Sequence, residues 1–288
     1  MLRVRRKLLR AWPLPAPSHA DKDGRGRVLV VGGAPEMPGA AILAATAALR
    51  AGAGKLQIAT CASIAPHVAV AMPEALVAGY PQTASGAISA SCAQALSDRA
   101  NRCDALVFGP GMVDEAACGE LFAALVDRLH VPALLDATVL ACIGERADLL
   151  RGLDGRAVVT PHAGEMARML SVSREKVEGD PARHARDAAR RFGATVALKG
   201  AETYIATPEG EMYRNDAGHL GLATSGSGDT LAGIIGGLLA RGASPPQAAV
   251  WGVFLHARAG ERLARSLGVG FLARELLVEI PRVMRRVQ

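Results

Sequence analysis

An aspartate set directly behind a glycine-rich run at the head of an apolar helix can act on an anion and on a proton at the same place. Thr224-Ser225-Gly226-Ser227-Gly228-Asp229-Thr230 has this form. Glycines let main chain approach a ligand closely. Consecutive N–H groups at a helix start make an anion site, reinforced by the helix dipole. Ser and Thr hydroxyls add donors. Asp229 then places a carboxylate beside a phosphate cradle, where it can take the proton of an attacking hydroxyl while the N–H groups hold phosphoryl oxygens. The same residues also suit an ordinary helix cap, and the run alone leaves both uses open.

Other loops add to it. Gly32-Gly33-Ala34-Pro35-Glu36-Met37-Pro38-Gly39-Ala40 follows an apolar run but lacks the G-x-G-x-x-G spacing of dinucleotide sites, and no G-x-x-x-x-G-K-[ST] occurs in the chain. Gly109-Pro110-Gly111, Asp136, Thr160-Pro161-His162-Ala163-Gly164-Glu165 and Lys199-Gly200-Ala201-Glu202-Thr203 each follow a short apolar run. Taken singly, His162 reads as a loop residue, Glu165 as a first-turn carboxylate, Asp136 as a turn cap or a Mg²⁺ contact through water, and Lys199 as a phosphate partner or a solvated turn residue. Together, five polar or glycine-rich loops at strand ends imply a cleft for a large anionic ligand. His67, His130, His184, His219 and His256 show no metal spacing and read as structural. No G-x-S-x-G elbow supports a hydrolase triad.

The elements that must position these loops alternate. Strands are expected at 28–31, 56–60, 75–78, 105–108, 133–135, 157–160 and 195–198, all short and apolar as strands buried on both faces should be. Helices are expected at 40–51, 89–98, 115–129, 164–170 and 181–192. Such alternation argues for an α/β fold, a mostly parallel sheet with helices on both faces. A hairpin of 203–206 and 211–213 around Pro208-Glu209-Gly210 closes one edge. Helices at 229–241, 246–267 and 272–287 follow. Residues 27–288 read as one domain, preceded by a basic, Pro-containing leader at 1–26 that is expected to be loosely ordered.

Composition bounds the partners. The 288 residues carry 33 Lys+Arg against 27 Asp+Glu, a formal charge of +6. Eight of those cations fall in the first 27 residues, so the excess is concentrated near the N-terminus. Aromatics are only 3%, which argues against base-stacking on nucleic acid. The five cysteines include no C-x-x-C pair and read as reduced thiols of a cytoplasmic protein. No secretory signal or membrane span is legible.

In this order and spacing the segments VLVVGGAPEMPGAAILAATAALRAGAGKLQIAT, FGPGM, LLDATVL, VVTPHAGEMARML, LKGAET and GLATSGSGDTLAGIIGGLLARG resemble the ADP/ATP-dependent NAD(P)H-hydrate dehydratases of the ribokinase-like superfamily, over roughly residues 27–260. Departures are Val113, Ala141, Ala163 and the stretch His219-Leu220-Gly221-Leu222. The resemblance implies a three-layer ribokinase-like α/β/α fold and the repair of NADH or NADPH hydrated at C6, by phosphorylation of the hydroxyl from ADP (or ATP) and loss of phosphate. It implies Asp229 as base and the Gly226, Ser227 and Gly228 amides as anion hole. Substrate binding would involve Ala40, Gly111, His162 and Asp229. Lys199, Gly200, Ala201, Glu202, Thr203 and Gly228 would take the adenine nucleotide. It further implies Mg²⁺ with the phosphates, a homotetramer, and a separate epimerase protein. The competing expectation is a ribokinase-like kinase of a small alcohol such as a thiamin precursor.

Overall fold

The computed structural model describes residues 1–16, 24–144 and 146–287. In chain order its elements are β1 (Leu2–Arg3), α1 (Arg6–Ala11), β2 (Arg27–Val31), α2 (Pro38–Arg50), β3 (Lys55–Cys61), α3 (Ala65–Ala71), β4 (Ala75–Tyr80), α4 (Ala93–Ala100), β5 (Ala105–Phe108), α5 (Glu115–Val126), β6 (Ala133–Leu135), α6 (Thr138–Ile143), α7 (Asp148–Arg151), β7 (Ala157–Val159), α8 (Ala163–Leu170), α9 (Arg174–Gly179), α10 (Pro181–Phe192), β8 (Thr195–Leu198), β9 (Thr203–Ala206), β10 (Met212–Asn215), α11 (Ser227–Ala240), α12 (Pro245–Leu267) and α13 (Ala273–Val287).

One ten-stranded sheet runs β1-β10-β9-β8-β7-β6-β5-β2-β3-β4. It is parallel from β4 through β8, and β9 then runs antiparallel to both β8 and β10. The chain winds outward from β2 to β4, then returns to β5 on the other side of β2. The order therefore reverses between β2 and β5, where open α/β sheets leave a crevice at the strand C-terminal ends. Strands β5, β6, β7 and β8 are buried at every residue, which is why they appear in the sequence as unbroken apolar runs.

Helices α2, α11, α12 and α13 pack against one another on one face; α4, α5, α6, α8 and α10 adjoin on the other. Contact between α11 and α2 depends on missing side chains. A Cβ on Gly233 would lie 2.0 Å from the Ala44 carbonyl oxygen, and one on Gly237 would lie 2.4 Å from that of Ala48. This close packing seats the N-terminus of α11, and hence Asp229, against the sheet.

The N-terminal segment corrects the expectation of a loose leader. Leu2 and Arg3 extend the sheet beside β10. Val4 and Leu9 are fully buried, and Trp12 stacks on Tyr213 with ring centroids 6.0 Å apart. Arg5 forms two bonds to Asp216, at 2.5 and 2.8 Å. Its charge density hid an apolar stripe that needs the β10 edge to cover it. Residues 17–23, including Lys22, lie outside the described residues. Deleting residues 1–16 should destabilise the protein by about 2–5 kcal/mol, the burial of Val4, Leu9 and Leu14 less the ordering cost. Urea unfolding of the full and shortened chains would measure it.

Candidate active site

The five loops at Gly32, Gly109, Asp136, Thr160 and Lys199 each leave the C-terminal end of a parallel strand, and the first three of them interlock, while the 224–230 run follows a short turn after β10 and opens α11. The Gly33 N–H donates to the Pro110 carbonyl at 2.8 Å. A Cβ on Gly111 would meet the Met37 carbonyl oxygen at 2.6 Å and the Ala40 Cβ at 2.8 Å, and one on Gly109 would come within 2.0 Å of the Asp136 carbonyl oxygen. Gly111 also sits at φ 72°, a left-handed conformation open mainly to glycine. Ala40 and Gly111 therefore form one wall. That wall reaches the α11 turn, because a Cβ on Gly226 would lie 2.5 Å from Leu43 of α2.

The opposite wall is ionic. Asp136 is buried, and its Oδ1 accepts hydrogen bonds from Thr160 Oγ1 at 2.8 Å and Lys199 Nζ at 3.0 Å. Lys199 Nζ also lies 3.9 Å from Glu165 Oε2. Ala137, next to Asp136, has φ 59°, a strained value for a residue with a Cβ. A Cβ on Gly228 would stand 3.6 Å from both Asp136 Oδ2 and Lys199 Nζ, so the first turn of α11 faces this pair without touching it.

Asp229 is half-buried in that first turn. Burial and the charge of Asp136 raise its carboxyl to about 6, against the pull of Lys199. Burial pulls the Lys199 ammonium down, but Asp136 and Glu165 together hold it above its ordinary value, so it stays a cation. Burial raises Glu165 as well, opposed by Lys199. One fixed cation thus serves three carboxylates, and Asp229 keeps the weakest share. A carboxylate that titrates near neutrality is suited to general-base work.

The expected anion hole is modified in one respect. The Ser227 N–H already donates to the Thr224 carbonyl, at 3.2 Å, while Gly226 adopts φ 83° to open the helix. His256, read from the sequence as structural, supplies a contact that reasoning from spacing missed: its Nε2 lies 3.0 Å from Ser227 Oγ. Burial lowers this imidazole to about 4, so it is neutral at physiological pH and fixes the serine hydroxyl.

The remaining candidates separate into two groups. His162 is exposed and caps α8: its Nδ1 accepts from the Gly164 and Glu165 N–H groups at 3.0 and 3.2 Å, and Glu165 Oε2 accepts from the His162 N–H at 2.8 Å. His162, Glu165, Thr138 and Arg168 line a cavity of about 430 Å³ beside Asp136. Of the stretch 199–203, only Lys199 reaches the ionic wall. Gly200 and Ala201 are exposed, Thr203 starts β9, and Glu202 is held by Arg214 and by Tyr204 Oη at 2.7 Å.

Comparison with known proteins agrees with this architecture. Residues 28–282 match the family model described as NAD(P)H-hydrate dehydratase. The ADP-dependent (S)-NAD(P)H-hydrate dehydratase of Xanthomonas campestris pv. campestris is 48% identical over 281 residues, 97% of this chain and 94% of that protein. The bifunctional NAD(P)H-hydrate repair enzyme of Moorella thermoacetica is 40% identical over 99% of this chain, which spans 54% of that protein's length. Among solved structures, the ADP/ATP-dependent NAD(P)H-hydrate dehydratase of Bacillus subtilis, co-crystallised with ATP/Mg²⁺, superposes with a TM-score of 0.82 at 27% identity, covering 100% of this chain and 99% of that one. A ribokinase-like superfamily protein of Enterococcus faecalis superposes at 0.83 with 25% identity, over 100% and 96%. With a match across most of its length and a relative at nearly half identity, the chain belongs to the NAD(P)H-hydrate dehydratase family.

Proposed function

We propose that this protein restores NADH and NADPH from their C6-hydrated forms, using ADP and releasing AMP and phosphate. The observation that carries the reading is Asp229, a carboxylate raised to about 6 at the head of α11 and faced by Lys199. Hydroxide is a poor leaving group, so the hydroxyl must first be phosphorylated. Asp229 takes the hydroxyl proton as that oxygen attacks the β-phosphorus of ADP, and AMP leaves. The C6–O bond of the phosphate ester then breaks, pushed by the ring nitrogen lone pair, and loss of the C5 proton restores the ring. The Gly226 and Gly228 amides and Lys199 hold the transferred phosphoryl oxygens. Ala40, Gly111 and His162 border the hydrated ring, and Lys199 to Thr203 border the nucleotide.

Magnesium fits here as an ion carried by nucleotide phosphates, which usually needs only one or two protein carboxylates. Among the described residues no group of three or more His, Cys, Asp or Glu could cage a metal. Asp136 Oδ2 and Glu165 are the carboxylate oxygens placed to contact its waters. The ion would supply charge neutralisation on the phosphates.

The Moorella relative is named bifunctional, which supports pairing of this reaction with a second repair activity, here expected to be an epimerase. Unpaired cysteines Cys61, Cys92, Cys103, Cys118 and Cys142 favour a cytoplasmic setting, and no helix among the described residues is long and apolar enough to cross a membrane. Exposed Leu220, Val269 and Leu272 offer an apolar patch of the kind a homotetramer would cover.

Incubating the protein with NADH hydrate and ADP should restore absorbance at the NADH band. No recovery with ADP or ATP would remove this reading. A stable phosphorylated alcohol in place of NADH would favour the kinase alternative.

A further inference from the structure

The basic N-terminal segment has no part in the reaction above, yet it folds over a cavity of about 390 Å³ between α1, α12 and α13. Three half-buried arginines form its floor, each with a carboxylate partner. Arg5 bonds Asp216, Arg258 bonds Glu261 at 2.6 Å, and Arg262 bonds Glu279. Glu279 is shared with Arg282, at 2.6 Å, so it neutralises Arg262 only in part. The rim is Arg6, Lys7, Arg265 and Arg286, all exposed and without a carboxylate partner among the described ion pairs. Seven cations line the cavity against one lining carboxylate, Glu261; Asp216 and Glu279 reach Arg5 and Arg262 from outside it. The concavity is therefore strongly positive. Phe254 and Val283 lie buried beneath it, and the Arg258 guanidinium covers the Phe254 ring at 5.4 Å from its centre.

This cavity is separate from the active site. Phe254, Arg258, Glu261 and Arg265 recur at three- and four-residue intervals along one face of α12. His256, which contacts Ser227, lies two residues from Phe254, roughly 200° around the same helix. Arginines presenting planar forks from three helices suit phosphate oxygens. A concave wall with cations on three sides suits a small molecule better than a flat, evenly charged stripe would.

We propose that this cavity is a second, non-catalytic binding site for a small polyanion bearing two or more phosphoryl groups. The group bound is the phosphate chain, offered either by an inorganic polyphosphate or by a nucleoside polyphosphate.

Titration calorimetry of the full chain with inorganic tripolyphosphate, and separately with ATP, tests it. The comparison is an Arg265→Gln/Arg286→Gln variant, which alters rim residues remote from Asp229. The wild type should show one class of sites that the variant lacks or binds at least about tenfold more weakly, since each lost charge-assisted bond is worth about that factor. That class should weaken with added salt, persist in Asp229→Asn, and leave dehydratase turnover of the rim variant unchanged. Tighter binding of ATP than of tripolyphosphate at this class identifies the nucleoside source; equal binding identifies the phosphate chain alone. Identical isotherms for wild type and rim variant overturn the proposal. So does an RNA oligonucleotide that binds this surface more tightly than either probe.

Discussion

Replacing Asp229 by Asn should abolish repair of NADH hydrate while making the folded protein more stable. Loss of a general base typically lowers a rate about 10²–10⁴-fold, and the amide cannot take the hydroxyl proton. Stability should move the other way. In the folded chain the Asp229 carboxyl titrates at about 6, raised from its ordinary 3.8 by burial and by Asp136. A group raised by folding contributes stability fully present below its unfolded value and lost as pH rises through its folded value. The wild type therefore carries a penalty that opens between pH 3.8 and 6 and is complete at neutrality. Asn never carries it. The variant should gain about 1–3 kcal/mol above pH 6, with little difference below pH 4, as a rough upper range for a half-buried group. Thermal unfolding across that pH range reads the stability, and NADH formation reads the rate. The wild-type rate should itself fall as pH drops through about 6, because the base must be ionised. Turnover that survives in Asp229→Asn would sink the role assigned to this carboxylate.

The parallel part of the fold was legible because both-face burial writes itself as short apolar runs. The expected strands at 105–108, 133–135 and 195–198 coincide with β5, β6 and β8. The loops that follow these strands were legible for the same reason, since only strand ends place Gly32, Gly109 and Lys199 together. Short helices were not. α3, α6, α7 and α9 are four to seven residues long, too few for a period to emerge, and they hold together by packing rather than propensity. The order β8-β7-β6 was needed to bring Lys199 onto Asp136 across 63 residues of sequence. His256 reaches Ser227 from a helix 29 residues on, a contact no local spacing encodes. Charge along 1–10 obscured the apolar positions Val4 and Leu9, which make sense only once an exposed β10 edge is known.

Lys199→Met tests whether the ionic wall tunes Asp229 or only holds the fold. The substitution keeps most of the side chain's length and removes the lysine cation shared by Asp136, Glu165 and Asp229. Stability at neutral pH should fall by about 3–5 kcal/mol, the cost of leaving a buried partner uncompensated. Lys199 holds down the carboxyls of both Glu165 and Asp229, so without it both should rise further. Carboxyls raised by folding favour the folded state at acid pH, so the variant's deficit should shrink as pH falls and widen as pH rises. Turnover should drop by about 10²–10³-fold, the loss seen when a charge-stabilising donor is removed from a transition state. A purely structural lysine predicts lower stability with the acid limb of kcat/KM unmoved. A tuning lysine moves that limb to higher pH, because Asp229 now needs more alkaline solution to ionise. An unmoved limb in a variant that still folds would confine Lys199 to packing, and would leave the titration of Asp229 to burial and Asp136 alone.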